Sequence, residues 1–357
     1  MRREGLLALV ILGLLGACGP AAQSPAPTDS TTTVAPTPSA ASATPRPPTA
    51  APSTTEAPAT IPSVDTPAPL QNSQGGGIAH FRDKLATADL FTLQLNGLPA
   101  PTDKQVYQAW LLGDEGAVIN LGALKLNPDG SATLEWNSPN GENLLSRYSR
   151  FQLTLEPAAG NAAGNAAPTG EIVLAGEMKD EALISARRLF VRNEGEPPTP
   201  RNIAFAAGLV AQSGVAIQHV QNAVNAAAIG SLPEMRTHLE HVVNILEGAA
   251  GPRFSDYDDN GTAENPGDGF GVIGYVTQIT ELLQDHETVD TAAADVKAQS
   301  AVIQDKSLQI LQIEDRTAIT AQLAELKELA DRLGANAIAG LYQAAQDAVG
   351  FEVLTVR

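Results

Sequence analysis

The spacing of apolar residues along this chain changes near Met178. Before that residue, apolar side chains occupy alternate positions between turn-forming residues, which is typical of half-buried strands. After it, they recur every three or four residues, as they do along one face of a helix. This order predicts a multidomain protein, β then α. We expect an antiparallel β-sandwich over 78–178 and an antiparallel helical bundle over 181–357.

The first region contains alternating segments that we predict to be strands. They are 90–95, 106–111, 118–126, 132–136, 150–156 and 171–175. Pro128 and Gly130 supply the fixed and the positive φ of a tight turn, so we expect the third and fourth segments to pair as a hairpin.

The second region shows helical periodicity throughout. The predicted helices are 181–193, 203–229, 232–247, 270–286, 289–313, one with an apolar face from Ile319 to Leu333 that ends before Gly334, and 335–349. The connections between most of them are short, which favours antiparallel neighbours.

The N-terminus predicts secretion and lipid attachment. Arg2 and Arg3 precede an apolar segment, 5–17, that is too short for an ordinary membrane span, so 1–17 is interpreted as a signal peptide. Residues 15–18 read LGAC, which resembles the lipobox of bacterial lipoproteins. The alternative is a plain signal peptide with an incidental cysteine. We expect Cys18 to be acylated and to hold the protein on the extracytoplasmic face of a bacterial membrane.

Residues 18–77 are dominated by Pro, Thr, Ser and Ala, with few side chains large enough to form a core. This composition predicts a disordered linker that separates the lipidated cysteine from the folded domains. We expect this linker to let the folded domains extend away from the membrane surface.

Composition excludes several classes of function. The chain carries 22 Lys and Arg against 40 Asp and Glu, a formal net charge of -18, so nucleic acid is not expected as a partner. Its single cysteine rules out an internal disulfide or a cysteine-based zinc cluster.

Several motifs of the β region resemble a known family. LPAPTDKQVYQAWL at 98–111 is followed by Leu155-Glu156-Pro157 and by Pro168-Thr169-Gly170. Their order and spacing resemble the extracytoplasmic C-terminal domain of anti-sigma-K factors, whose patterns are LPPxPxGKxYQxWL and VTxEPxGGxxxPTGPxVLxG. Asp103 stands where that family usually has Gly. The resemblance covers about 88–178.

The resemblance implies an outer recognition module. It does not imply direct inhibition of a sigma factor, because the family's cytoplasmic sigma-binding region and transmembrane helix are not recognisable here. Tyr107 and Trp110 lie three positions apart on a strand and so face opposite sides; we expect both to be structural. His80 is the only histidine of this region, and no Ser/His/Asp set occurs, so an enzyme is not expected.

The Asp-rich loop 256–268 predicts a calcium site. Asp256, Asp258 and Asn260 alternate and Gly261 follows, as in loops that wrap oxygen ligands around a hard cation. Gly267 occupies the twelfth position, where such loops carry a bidentate Glu. The candidate ligands, which depart from that pattern at the end, are Asp256, Asp258, Asn260, Thr262 and Asp268. The alternative is an ordinary Asx-turn loop that caps the next helix.

Histidines on two predicted helices form a second candidate site. His238 and His241 share one helical face, and His219 lies on the preceding helix at the same distance from the turn at Gly230. Three converging imidazoles would suit zinc, copper or a non-covalent haem. The alternative is a hydrogen-bonded pair at the edge of the core.

These observations leave three classes of function. The leading hypothesis is a non-enzymatic envelope lipoprotein that senses a condition or binds another, unidentified envelope protein. The alternative is a metal-binding lipoprotein with calcium at the Asp-rich loop and a transition metal or haem at the histidines. A hydrolase is the weakest, because nucleophile, base and orienting group do not occur at a recognisable spacing.

Overall fold

A computed structural model of the chain describes residues 75–158 and 167–356. The predicted signal peptide 1–17, Cys18 and nearly all of the predicted linker 18–77 lie outside the described residues. In the two described segments, no helix combines the length and the apolar character needed to cross a lipid bilayer.

The described residues contain eight strands joined in one antiparallel sheet. The strands are β1 (Gly76–Arg82), β2 (Leu90–Asn96), β3 (Gln105–Gly113), β4 (Val118–Leu124), β5 (Ala132–Asn137), β6 (Tyr148–Pro157), β7 (Glu171–Glu177) and β8 (Gly350–Thr355). Their order across the sheet is β4-β3-β6-β7-β8-β1-β2-β5. The edge strands β4 and β5 contact one another, so the sheet curls into a nearly closed barrel.

Aromatic residues fill one face of this sheet. The ring of Phe91 stacks on Phe151 with centroids 5.8 Å apart and meets the edge of Phe81 at 5.6 Å. Phe351 lies 6.3 Å from Phe81 and brings a side chain from the end of the chain into the same cluster. Strands β1, β2, β6 and β8 therefore share one core.

The last strand completes the sheet between β7 and β1. Phe351 and Val353 are buried, while Glu352 and Leu354 at the alternate positions are exposed, which is the period-two pattern of a half-buried strand. Neither this strand nor β1, which begins at Gly76 inside the predicted linker, is among the strands predicted from the sequence. The region 181–357, expected to be wholly helical, thus contributes a strand to the sheet.

The expectation of antiparallel β structure followed by helices is confirmed. A sandwich of two sheets is not confirmed, because the strands form one continuous sheet. The predicted hairpin is wrong: β4 pairs with β3, and β5 pairs with β2. The turn itself forms, with Gly130 at a φ of 78° and the Asn127 amide bonded to Ser131, but it joins opposite edges of the sheet.

The described helices follow β7 in the chain. They are α1 (Asp180–Phe190), α2 (Phe205–Ile229), α3 (Leu232–Glu247), α4 (Val272–Leu282), α5 (Glu287–Leu311), α6 (Arg316–Arg332) and α7 (Ala339–Ala348). Each corresponds to one predicted helix, and α3 has the predicted bounds. Between α6 and α7, residues Leu333–Ile338 form a π-helical segment, so Gly334 does not end the helix as expected.

The described strands and helices share one continuous hydrophobic core and belong to one compact unit. Helix α2 packs on α3, α4 and α6, and α5 packs on α3, α6 and α7. The arrangement places the facing sides of α2 and α3 next to the long loop between α3 and α4, where the candidate site lies.

Candidate metal centre

The α2–α3 turn brings two histidine-bearing faces together. Gly230 ends α2 in the left-handed conformation, with a φ of 85° that glycine adopts without strain, and α3 begins at Leu232. Because α3 then packs closely on α2, residues at equal distances from the turn become neighbours. His219 precedes Gly230 by the same number of residues by which His241 follows it.

The structure places His219, His238 and His241 in one cluster. Nδ1 of His219 lies 3.1 Å from Nδ1 of His238 and 3.2 Å from Nδ1 of His241. One ring nitrogen from each of the three lies within 4.8 Å of the other two. A tetrahedral zinc with Zn–N bonds of about 2.0–2.1 Å holds its nitrogen ligands roughly 3.3 Å apart. The three imidazoles are therefore already close to the spacing that one ion requires.

Partial burial lowers the pKa of two of these imidazoles, those of His219 and His238. Burial first, and the neighbouring His241 and His238 second, lower the pKa of His219 to about 4. Burial and His241 also lower the pKa of His238, against a smaller opposing effect of Glu234. Neutral imidazole is the form that binds metals, so these two side chains are prepared as ligands at neutral pH.

Two carboxylates approach the cluster from outside. Oε2 of Glu264, in the loop before α4, lies 3.0 Å from Nε2 of His241, which is within hydrogen-bond distance. Oε1 of Glu234 lies 4.0 Å from Nε2 of His238, which is too long for a hydrogen bond. Metal-binding histidines commonly donate a hydrogen bond from their second ring N–H to a carboxylate, and His241 has such a carboxylate beside it.

The Asp-rich loop follows α3 and folds through its own side chains. Asp256 accepts a hydrogen bond from the Gly261 amide at 2.8 Å, and Asp258 accepts one from the Asn260 amide at 3.0 Å. Asn260 in turn accepts one from the Thr262 amide at 2.9 Å. Burial alone would raise the pKa of Asp258, but hydrogen bonds from Thr237 and Asn260 outweigh it and lower the pKa. These contacts fit both the calcium and the Asx-turn interpretation.

A buried glutamate that the sequence analysis missed organises this loop. Glu240 of α3 is fully buried and accepts hydrogen bonds from the amides of Tyr257, Asp258 and Glu264 at 2.7, 3.0 and 2.8 Å. Its carboxylate lies within 4.8 Å of the carboxylates of Asp256 and Asp258. The signal available in the sequence was a charged residue among apolar ones in the middle of α3.

One oxygen of this carboxylate group has no donor. Oδ1 of Asp256 is buried and receives no hydrogen bond from the described residues, although Oδ2 is bonded to Gly261. A buried carboxylate oxygen without a donor is costly, and a cation is one way of satisfying it.

Asp268, the last predicted calcium ligand, serves another part of the structure. Its carboxylate accepts hydrogen bonds from the Phe270 amide at 2.9 Å and from the Tyr275 hydroxyl at 2.6 Å. It is absent from the carboxylate group formed by Glu240, Asp256 and Asp258 among the described residues. The structure therefore places Glu240, and not Asp268, beside the first two aspartates.

In the β region, Tyr107 and Trp110 are both buried. The Tyr107 ring belongs to the hydrophobic core and its hydroxyl donates to the Pro99 carbonyl at 3.0 Å. The Trp110 indole donates to the Thr154 hydroxyl at 2.9 Å. Both side chains thus have structural contacts.

Thr154 continues the network to Glu156, which is 1% exposed. Burial alone would raise the pKa of Glu156, but the hydrogen bonds it accepts from Thr169, Gly170 and Thr154 outweigh that effect and lower the pKa to about 2. The Glu-Pro and Pro-Thr-Gly motifs noted in the sequence therefore meet in space, and Glu156 closes the loop between β6 and β7.

Comparison with known proteins identifies the class of the β region. Residues 5–172 match the family model described as "Anti-sigma-K factor rskA, C-terminal". The match begins at the apolar N-terminal segment and ends within β7, before the first residue of α1. The predicted resemblance is confirmed: this part of the chain carries an anti-sigma-K-factor-like domain. No curated protein and no solved structure matches the chain.

Proposed function

We propose that this chain is a non-enzymatic protein of the bacterial cell envelope that binds a transition-metal ion through His219, His238 and His241. The observation that carries the proposal is the convergence of three Nδ1 atoms, two of them 3.1 and 3.2 Å from the third. Lone pairs directed at one point repel one another unless a proton or a metal ion lies between them. Lowered pKa values at His219 and His238 disfavour a second proton on these rings, so at neutral pH each ring keeps one nitrogen lone pair that a metal ion can use.

The ligand type favours zinc or copper(II). Imidazole nitrogen suits both ions, and three protein ligands leave a further coordination position for water or another ligand. A single point of convergence favours one ion over a haem, since axial ligands of a haem iron lie on opposite faces of the porphyrin.

The test is a zinc titration of the purified full-length chain by calorimetry. We expect one zinc per chain, and a loss of affinity of more than about 100-fold in His219→Ala, since removal of an outer partner alone costs 10–100-fold. His286→Ala is the matched control, because His286 is exposed and lies outside the cluster. Equal affinity in all three proteins would contradict the proposal.

A second candidate is a calcium ion held by Asp256, Asp258 and Glu240, with Asn260 and Thr262 nearby. It is favoured by the buried, unpartnered Oδ1 of Asp256. Calcium bound only by the folded state raises the melting temperature relative to a chelator. We expect that shift in the unmodified protein and not in Asp256→Asn; the exposed Asp259→Asn is the control. An equal response of both variants would contradict a site at Asp256.

We further propose that the anti-sigma-K-factor-like domain acts in sensing or in contact with an envelope protein, without direct inhibition of a sigma factor, and that lipidated Cys18 anchors the chain on the extracytoplasmic face. The LGAC motif supports the anchor, and the family match to a C-terminal module supports the contact role.

Membrane fractionation of the unmodified protein and Cys18→Ser tests the anchor: the variant should leave the membrane fraction. Crosslinking in cells tests the contact role. A partner set that is unchanged when the β region is altered would contradict it.

A further inference from the structure

We propose that Glu264 is the positioning residue of the histidine centre: its carboxylate keeps the proton of His241 on Nε2 and thereby presents Nδ1 to the metal. The inference rests on the proposed metal-binding function, and it names the residue that orients one of the metal ligands. It also makes the Asp-rich loop, which carries Glu264, part of the metal centre.

The two ring nitrogens of His241 face different partners. Nε2 lies 3.0 Å from Oε2 of Glu264, and Nδ1 lies 3.2 Å from Nδ1 of His219. An ionised carboxylate only accepts hydrogen bonds, so the nitrogen beside Glu264 must carry the proton. In the neutral ring the other nitrogen, Nδ1, is then the one with the free lone pair, and it points at the cluster.

Glu264 is held in place independently of His241. Its amide donates to Oε1 of Glu240 at 2.8 Å, and its carbonyl accepts from the Asn244 side chain at 2.9 Å. Glu240 and Asn244 are both fully buried residues of α3, the helix that also carries His241. The backbone of Glu264 is therefore fixed relative to the imidazole, which places its side chain within reach of Nε2 of His241.

Glu234 provides a natural comparison within the same cluster. Its side chain is 55% exposed and that of Glu264 is 45% exposed, so the two carboxylates are similarly hydrated. Glu234 is 4.0 Å from Nε2 of His238 and makes no hydrogen bond with it. Only the Glu264 contact is short enough to select a tautomer.

The experiment measures tautomers in the metal-free full-length chain by NMR of ¹⁵N-labelled histidine at pH 8. We expect His241 to carry its proton on Nε2 in the unmodified protein and to become a mixture of tautomers in Glu264→Ala. That variant retains both backbone hydrogen bonds of residue 264, so the loop keeps its anchors on α3. Glu264→Gln retains an acceptor and should lie between the two, while Glu234→Ala should leave His241 unchanged.

Zinc affinity provides the second measurement. We expect Glu264→Ala to bind zinc about 10–100-fold more weakly, which is the usual effect of removing a carboxylate partner of a metal-binding histidine. Glu264→Gln should lose less, and Glu234→Ala should change affinity by less than about threefold.

The two proposals fail in different ways. If the unmodified protein binds no zinc, the proposed function is wrong, while the tautomer of His241 still decides the role of Glu264. If zinc binds but His241 carries its proton on Nδ1, or if Glu264→Ala keeps both the tautomer and the affinity, the positioning role is overturned.

Discussion

The carboxylate of Glu156 holds Thr169 by two hydrogen bonds, one from the amide to Oε1 at 3.0 Å and one from the hydroxyl to Oε2 at 2.7 Å. A third comes from the Gly170 amide at 2.8 Å. A Cβ at Gly170 would lie 2.2 Å from the Leu155 carbonyl oxygen, so only glycine allows this approach. The contact gives the Glu-Pro and Pro-Thr-Gly motifs of this chain a shared structural role.

Glu156→Gln should therefore destabilise the fold. We expect the free energy of unfolding at pH 7 to fall by about 2 kcal/mol, because hydrogen bonds to a charged, buried acceptor are lost or weakened. Denaturant unfolding measures the change. Glu171→Gln, at an exposed position of β7, is the control and should change stability by less than about 0.5 kcal/mol.

The same residue predicts a dependence on pH. Since the pKa of Glu156 is lowered to about 2 in the folded protein, its contribution is complete above the usual value of 4.5 and is lost as the pH falls toward 2. The unmodified protein should lose more stability over this interval than Glu156→Gln. Equal losses would contradict the assignment.

We predict that replacing either of two glycines of α2 by alanine changes the free energy of unfolding in opposite directions. A Cβ at Gly208 would lie 2.1 Å from the ring of Tyr275, whereas a Cβ at Gly214 would meet nothing within 4 Å. Gly208→Ala should lower the free energy of unfolding by about 1–3 kcal/mol through overpacking. Gly214→Ala should raise it by about 0.5–1 kcal/mol, because alanine favours the helix. Thermal unfolding of the pair checks the packing of α2 against α4.

Because the C-terminal strand β8 lies inside the sheet, we predict that the sheet cannot form without the end of the chain. β8 lies between β1 and β7, so removal of 350–357 exposes two strand edges and removes Phe351 from the aromatic core. We expect that truncated chain to lose cooperative unfolding by circular dichroism. A chain lacking only Arg357 should unfold like the full-length protein. Cooperative folding of the 350–357 deletion would contradict the position of β8.

Local patterns located the strands but did not determine their partners. Alternation placed β2 to β7 to within a few residues, because side-chain period depends only on neighbours in sequence. The partner of a strand depends on the whole sheet, and a well-formed turn at Gly130 still joins two edges. β8 was missed because it follows a long helical region. β1 was missed because its first residues, Gly76 and Gly77, look like a continuation of the linker.

Part of the candidate site could also be predicted from the sequence. His219 and His241 lie at equal distances from Gly230, and His238 and His241 are three residues apart. These two spacings were sufficient to predict that the three histidines lie close together. Glu240 and Glu264 were missed because their roles depend on how the loop folds back on α3. Asp268 was chosen for its position in a loop pattern, whereas the folded loop directs it to Tyr275.

The histidine cluster predicts acid sensitivity of the metal-free protein. The pKa of His219 is lowered to about 4 in the fold, so the unfolded chain takes up this proton at higher pH than the folded chain. The free energy of unfolding should therefore fall as the pH decreases from 6.5 to about 4. His219→Gln should show a shallower fall over this window, and His286→Gln should match the unmodified protein. Equal slopes in all three would contradict a half-buried, neutral His219.

X-ray absorption spectroscopy of the zinc-loaded full-length chain tests the central claim most directly, because it reports the atoms bound to the ion. We predict a first shell with three imidazole nitrogens at about 2.0–2.1 Å, and the loss of one of them in His219→Ala. A first shell made of oxygen alone, or one that His219→Ala leaves unchanged, would contradict a metal centre at His219, His238 and His241.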